Sequence, residues 1–157
     1  MIASGVIDAQ TQLDSFIDKF TPENAALTRA LLERMKARIP GAAILVYDNY
    51  NALAIGFGPN DKAGLAVLSL AVMPRWVTLC FLFGAGLPDP HGLLNGAGSR
   101  VRHVRLHTSE AFDDPPVQDL IQAALDRCEP PIDPAREHRL IIKSISAKQR
   151  PRRPKEA

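Results

Sequence analysis

The feature that most constrains this chain is a change of hydrophobic period at Pro40-Gly41. Before it, Leu13, Phe16, Ile17 and Phe20 stand at i, i+3, i+4 and i+7, and Leu27, Leu31, Met35 and Ile39 continue in steps of four. A 3.6-residue period gathers such positions into one stripe, so each set predicts an amphipathic helix. After it, apolar residues crowd into short β-rich runs, Ile44 to Tyr47, Ala52 to Phe57, Leu65 to Met73 and Trp76 to Phe83, punctuated by Asn, Asp, Gly and Pro. The connections are too short for crossover helices, so the spacing predicts consecutive antiparallel strands with helices covering one face.

Local signals sharpen this outline. Thr21 is placed to cap the second helix through its hydroxyl, while Pro22 takes the first turn, where a missing N–H costs nothing. Pro40-Gly41 ends that helix. The third and fourth runs are apolar on both alternating sets, as central strands are. A helical hairpin over Leu65 to Phe83 is the rival reading. Val101 to His107 is a fifth strand after a glycine-rich loop, and Arg139 to Ile145 is a candidate last one. Between them Val117, Leu120, Ile121, Ala124 and Leu125 form the clearest helical stripe, opened by Pro115-Pro116 and closed by Pro130-Pro131. Helices are thus expected near 9–20, 23–39 and 115–128. The fold class is α+β: an antiparallel sheet of about five strands packed against two N-terminal helices and one C-terminal helix.

With 157 residues and 46% apolar side chains the chain has the size and core of one domain. We place that domain at 1–147, with a basic flexible tail at 148–157. Lys148, Arg150, Arg152, Arg153 and Lys155 against Glu156 give the tail a net charge of +4 and leave the body at −2. A mildly acidic body is a poor tracker of phosphates, so nucleic acid enters only through the tail, which is expected to touch no part of the core. Leu65 to Leu87 is interrupted by Pro74-Arg75 and reads as a buried hairpin, not a membrane span. Cys80 and Cys128 stand apart from any metal or disulfide spacing, and the N-terminus lacks the basic and apolar regions of a signal peptide. A cytoplasmic protein with reduced thiols is the expectation.

The chemistry-bearing candidates are few. The segment from Gly84 to Ser99 carries five glycines, which let backbone N–H groups converge on a ligand, although their order matches no nucleotide fingerprint. A long turn accounts for the same glycines. Directly after it come Arg100, Arg102 and His103, and with His91 from the loop they are candidate contacts for a small anion. On a strand, Val101, His103, Arg105 and His107 share one face. His103 and His107 then lie about 13 Å apart along the strand, too far to share a metal ion. Tyr47, Asp48, Asn49 and Tyr50 are a second candidate set, where aromatic and amide groups at a strand junction can line a pocket; the turn reading is the simpler one. Glu110, Asp113 and Asp114 precede a helix, as capping residues do. No nucleophile motif appears, and Cys80 lies within an apolar strand where a thiol is inert.

The two N-terminal helices, the strand run to Phe83 and above all Leu87-Pro-Asp-Pro-His-Gly-Leu-Leu-Asn-Gly-Ala-Gly-Ser-Arg-Val-Arg-His-Val104, followed by the Val117 to Leu125 helix, resemble the YdhG-like family, domain of unknown function 1801. The resemblance covers residues 10–127. It implies an α+β fold with an antiparallel sheet and no established reaction. Some relatives are described as frataxin-like iron chaperones, so iron is implied by resemblance only. This chain departs from the family at Tyr47-Asp48-Asn49-Tyr50, where many members carry a Tyr-Gly-Met-Pro type segment, and at Ser99, where lysine is common. It also adds Ile132 to Ala157. For iron, hard carboxylates are needed, and the first helix offers Asp8, Asp14 and Asp18.

Taken together, the residues suggest a non-catalytic binding or accessory domain for a small anionic molecule or a protein partner. No cofactor is expected from them. The alternatives are a frataxin-like iron-binding chaperone and an enzyme of unrecognised type.

Overall fold

The computed structural model describes residues 7–155, so the readings on the first six residues and on Glu156 and Ala157 fall outside it. Helix α1 (Ala9–Ile17) opens on Asp8, whose carboxylate accepts the Thr11 N–H at 2.8 Å, and buries Leu13, Phe16 and Ile17. Helix α2 (Pro22–Arg38) starts as the sequence predicts: the Thr21 hydroxyl accepts the Asn24 N–H at 3.2 Å and Pro22 fills the first turn. Its stop is also as expected, because Gly41 adopts φ +84° and a Cβ there would lie 1.9 Å from the Asp133 carbonyl oxygen.

Strands β1 (Ala43–Asp48), β2 (Leu53–Gly58), β3 (Leu68–Val72), β4 (Val77–Phe81) and β5 (Arg102–Leu106) form the expected antiparallel meander. Helix α3 (Pro115–Asp126) follows and buries Val117, Leu120, Ile121 and Ala124. The fold class is therefore α+β, as read. Three details differ. Strand β3 begins at Leu68, not Leu65, because Ala63–Leu65 forms a 3₁₀ turn that carries the chain across the sheet face. The Asp114 side chain makes no capping bond; its carbonyl receives the Gln118 N–H at 3.0 Å, and Asp113 pairs with Arg34 at 3.1 Å.

The third difference is the sixth strand. Strand β6 (Arg139–Ile145) runs parallel to β1 and lies outside it, giving a mixed sheet of order β5-β4-β3-β2-β1-β6. The return from α3 delivers the chain to the far edge from the end at which β1 also enters. His138 anchors that entry, with its ring nitrogens 2.9 Å from the Ala42 oxygen and 3.1 Å from the Lys36 oxygen.

Alternation along the strands divides the sheet into two unlike faces. Ile44, Val46, Leu53, Ile55, Phe57, Leu68, Leu70, Leu79 and Phe81 pack against Leu13, Phe16, Leu31, Met35, Leu120 and Ile121 in one helix-covered core. The other face carries small side chains in its centre, Ala54, Gly56, Ser69, Ala71, Thr78 and Cys80, with Tyr47 toward one edge and His103 and Arg105 toward the other. Residues 59–67 cross part of this face. A Cβ on Gly58 would sit 2.8 Å from Ala66 Cα, so only glycine admits the crossing. Among the described residues no helix is long and apolar enough to cross a membrane.

Candidate functional site

The glycine-rich loop closes on itself. The Asp89 carboxylate accepts the N–H groups of Leu93 and Leu94, each at 2.9 Å. Amides that the sequence suggested would converge on a foreign anion thus converge on an internal one. Leu87, Leu93 and Leu94 tie the loop to the core, and Asn95 exchanges backbone bonds with His103 at 2.8 and 2.9 Å.

The candidate cations of this region are turned to separate tasks. The Arg102 guanidinium donates to the carbonyls of Gly98 at 2.6 Å and Val101 at 2.8 Å. Arg100 lies over the Phe83 ring, 4.6 Å from its centroid, and His91 is exposed in the loop. His103 is half-buried on β5, directly opposite Cys80 of β4. The structure therefore brings together a histidine and a cysteine that are distant in sequence, and Cys80 is itself half-buried on the face without helices instead of lying in the core.

The second candidate set is divided. Asn49 makes the β1–β2 turn, its N–H bonded to the Ala52 oxygen at 3.0 Å, and with the exposed Tyr50 it lines an open surface depression. Tyr47 is half-buried with its hydroxyl oxygen enclosed and unpartnered among the described residues, and burial pushes its phenol up from the ordinary value. Asp48 is a structural ion-pair centre with 0% exposure. Its two carboxylate oxygens accept from Lys19 Nζ at 2.7 Å and Arg152 Nη2 at 2.9 Å. Burial pushes the carboxyl up, but the bonds from Lys19, Gln149 and Arg152 and the Lys19 charge outweigh it and hold the group below its ordinary 3.8.

This ion pair corrects the reading of the tail. Arg152 is 6% exposed, also donates to the Asn49 oxygen, and lies 5.8 Å from the Phe20 centroid. Arg150 N bonds the Tyr50 oxygen at 2.9 Å, and Arg153 Nε reaches the Lys19 oxygen at 3.2 Å. Composition predicts a tail that touches no core, because it lacks apolar side chains. A guanidinium enters instead, since a buried carboxylate compensates its desolvation.

A cavity of about 340 Å³ lies where α3 ends against the start of β3 and the end of β4. Its walls are Leu65, Val67, Phe81, Phe83, Leu87 and Ala124, with Arg127, Cys128 and Glu129 completing it. Arg127 donates to the Gly86 oxygen at 3.1 Å and is otherwise exposed. The Cys128 thiol donates to the Pro130 oxygen at 3.4 Å; burial, with the nearby Glu129 charge, pushes it up, so it stays a neutral wall group. Sequence reasoning missed this site because its lining comes from three separated segments, of which only the Val117 to Leu125 stripe carries a periodic signal.

The carboxylates considered for iron are dispersed. Asp8 caps α1, Asp14 accepts from Gln10 at 3.2 Å, and Asp18 pairs with Arg29 at 2.7 Å. No group of three or more His, Cys, Asp or Glu among the described residues is arranged to hold a metal ion. Compared with protein families, curated proteins and solved structures, the chain matches none.

Proposed function

We propose that this domain is a non-catalytic binding module that holds a small, largely apolar molecule bearing one carboxylate in the cavity beside the C-terminal end of α3. The observation that carries the reading is the cavity itself: an apolar concavity of about 340 Å³ with a guanidinium at one side. Ligand sites are typically concave, about 300–1,000 Å³, and mostly apolar with a few placed polar groups. Arg127 spends an N–H on Gly86 and keeps the planar fork that suits a carboxylate. Glu129 on the same cavity disfavours a doubly charged head such as phosphate, so the ligand class is a monocarboxylate with an aliphatic or aromatic body. The two free thiols suit a reducing, cytoplasmic setting.

The glycine-loop reading makes a different demand: an anion held by Arg102 and His103 without an apolar body. The two are separated by thermal-shift and calorimetric titration with octanoate, 3-phenylpropionate and inorganic phosphate. The cavity reading expects the apolar carboxylates to stabilise the protein, by about 2.7 kcal/mol at one hundred times Kd. Arg127→Ala is expected to weaken binding at least tenfold, Ala124→Leu to block it by filling the wall, and Arg102→Ala to leave it unchanged. Protection by phosphate that disappears in Arg102→Ala, or equal carboxylate binding by Arg127→Ala, overturns it.

A further inference from the structure

On the sheet face that the helices leave uncovered, register sets Ser69, Cys80 and His103 in one row, Ser69 opposite Cys80 and Cys80 opposite His103. We propose that Cys80 and His103 form a two-coordinate site for a soft monovalent metal ion, Cu(I) in kind, bound through the cysteine sulfur and one imidazole nitrogen. Directly opposite residues on an antiparallel pair have Cβ atoms about 4.5–5.5 Å apart. Two donors that share one ion need about the same span, since metal–sulfur and metal–nitrogen bonds run about 2.3 and 2.0 Å in zinc sites. Both residues are half-buried, so each is reachable from solvent yet shielded from bulk water.

The donor set selects the ion. Thiolate with imidazole favours soft ions, whereas structural zinc demands four protein ligands and catalytic zinc three. No third His, Cys, Asp or Glu among the described residues completes such a group here. An ion content with two donors in near-linear array is required, which is the chemistry of Cu(I). Charge points the same way. One cation on one thiolate leaves the half-buried pair neutral, while a divalent ion leaves a net positive charge near Arg105, two residues along the same face. Arg105 itself is turned aside, its guanidinium 3.7 Å from the Trp76 centroid.

The glycine-rich loop then has a role that the anion reading does not give it. Its Asn95 pairs with His103 through the backbone, and Gly96, at φ +122°, lies beside the ring: a Cβ there would be 3.7 Å from His103 Nδ1. The loop fixes the β5 edge at the histidine without crowding the imidazole. Burial pushes the Cys80 thiol up from its ordinary value, against the smaller opposing effect of Ser69. On binding, the S–H bond breaks, its proton passes to solvent and the sulfur–metal bond forms. No electron is transferred.

The test is competition for Cu(I) between the reduced full-length protein and bicinchoninate under anaerobic conditions. One equivalent is expected to bind to the wild type and to Cys128→Ser alike. Cys80→Ala and His103→Ala should each weaken it at least tenfold while keeping the wild-type circular dichroism and melting profile. X-ray absorption of the Cu(I)-loaded wild type should show one sulfur and one nitrogen neighbour, a reading that needs no variant. Failure of the wild type to compete, undiminished binding by His103→Ala or Cys80→Ala, loss of binding in Cys128→Ser, or a sulfur-only shell overturns the proposal.

Discussion

Asp48 ends β1 with its carboxylate closed off from solvent, and such a charge persists there only because Lys19 and Arg152 each meet one of its oxygens. The two cations are unlike: the Lys19 side chain is 41% exposed and the Arg152 side chain 5%. Arg152→Ala removes the partner that is itself buried. It should destabilise the protein by about 3 kcal/mol in urea unfolding, the low end for a broken buried pair because Lys19 remains. The acid limb follows from the lowered carboxyl. A group whose folded pKa lies below its unfolded value stabilises the fold above the unfolded value, near 3.8 here, and loses that contribution as pH falls through the folded one. Asp48→Asn should therefore be less stable than wild type at pH 7, and the gap should close progressively below pH ~4. A gap unchanged with pH would show that the charge is not what the pair contributes. Gly41 offers a second test at this scale. Gly41→Ala must hold a Cβ at φ +84° and 1.9 Å from a backbone oxygen, and should cost more than about 2 kcal/mol. Gly64→Ala, with open space at its Cβ and no positive φ, should leave stability within about 0.5 kcal/mol.

Among the elements, the helices and the meander were readable because their causes are local: a period, a cap, a proline and a turn residue all act within a few positions of where they stand. The helix boundaries fall within about three residues of expectation. Strand β6 has the same local signal and the range read for it, Arg139–Ile145, but its direction and neighbour depend on the path of the return from α3. The segment after it shows the limit more sharply. Residues 148–155 contain no apolar run, yet they hold Tyr50, Asn49, Asp48 and Lys19 together through Arg150, Arg152 and Arg153. Ending the chain at Ala147 removes this brace. A loss of about 3 kcal/mol in a chain of this size corresponds to a melting temperature lower by about 6–12 °C. An unchanged melting temperature would mean that the brace contributes nothing in solution and that the tail behaves as its composition suggests.

At the scale of the whole molecule, one sheet separates a helix-covered core from a face of small and polar side chains, and the two candidate sites sit on different sides of that division. The cavity opens at the end of the core, where α3 and the segment before β3 fail to close over Phe81 and Phe83. The Cys80–His103 pair lies on the other face. Because the sites share no residue, occupation of one is expected to leave the other's affinity unchanged within the error of a titration, and titrating octanoate into Cu(I)-loaded and metal-free protein measures this directly.

By itself the sequence determined the class of the fold, the three helices to within about three residues at their ends and the antiparallel order of five strands, because hydrophobic period and turn chemistry report which face of each segment seeks the core. The tertiary structure alone decided which chemistry-bearing groups meet. Arg102 and the amides of the glycine-rich loop were available to a ligand on paper; Arg102 donates to the loop's own carbonyls, and two of the amides donate to Asp89. Asp48 finds Arg152 across 104 positions, and Cys80 finds His103 through strand register. Such pairings are set by chain path and by the desolvation cost of leaving a charge alone, neither of which leaves a periodic trace in the order of residues.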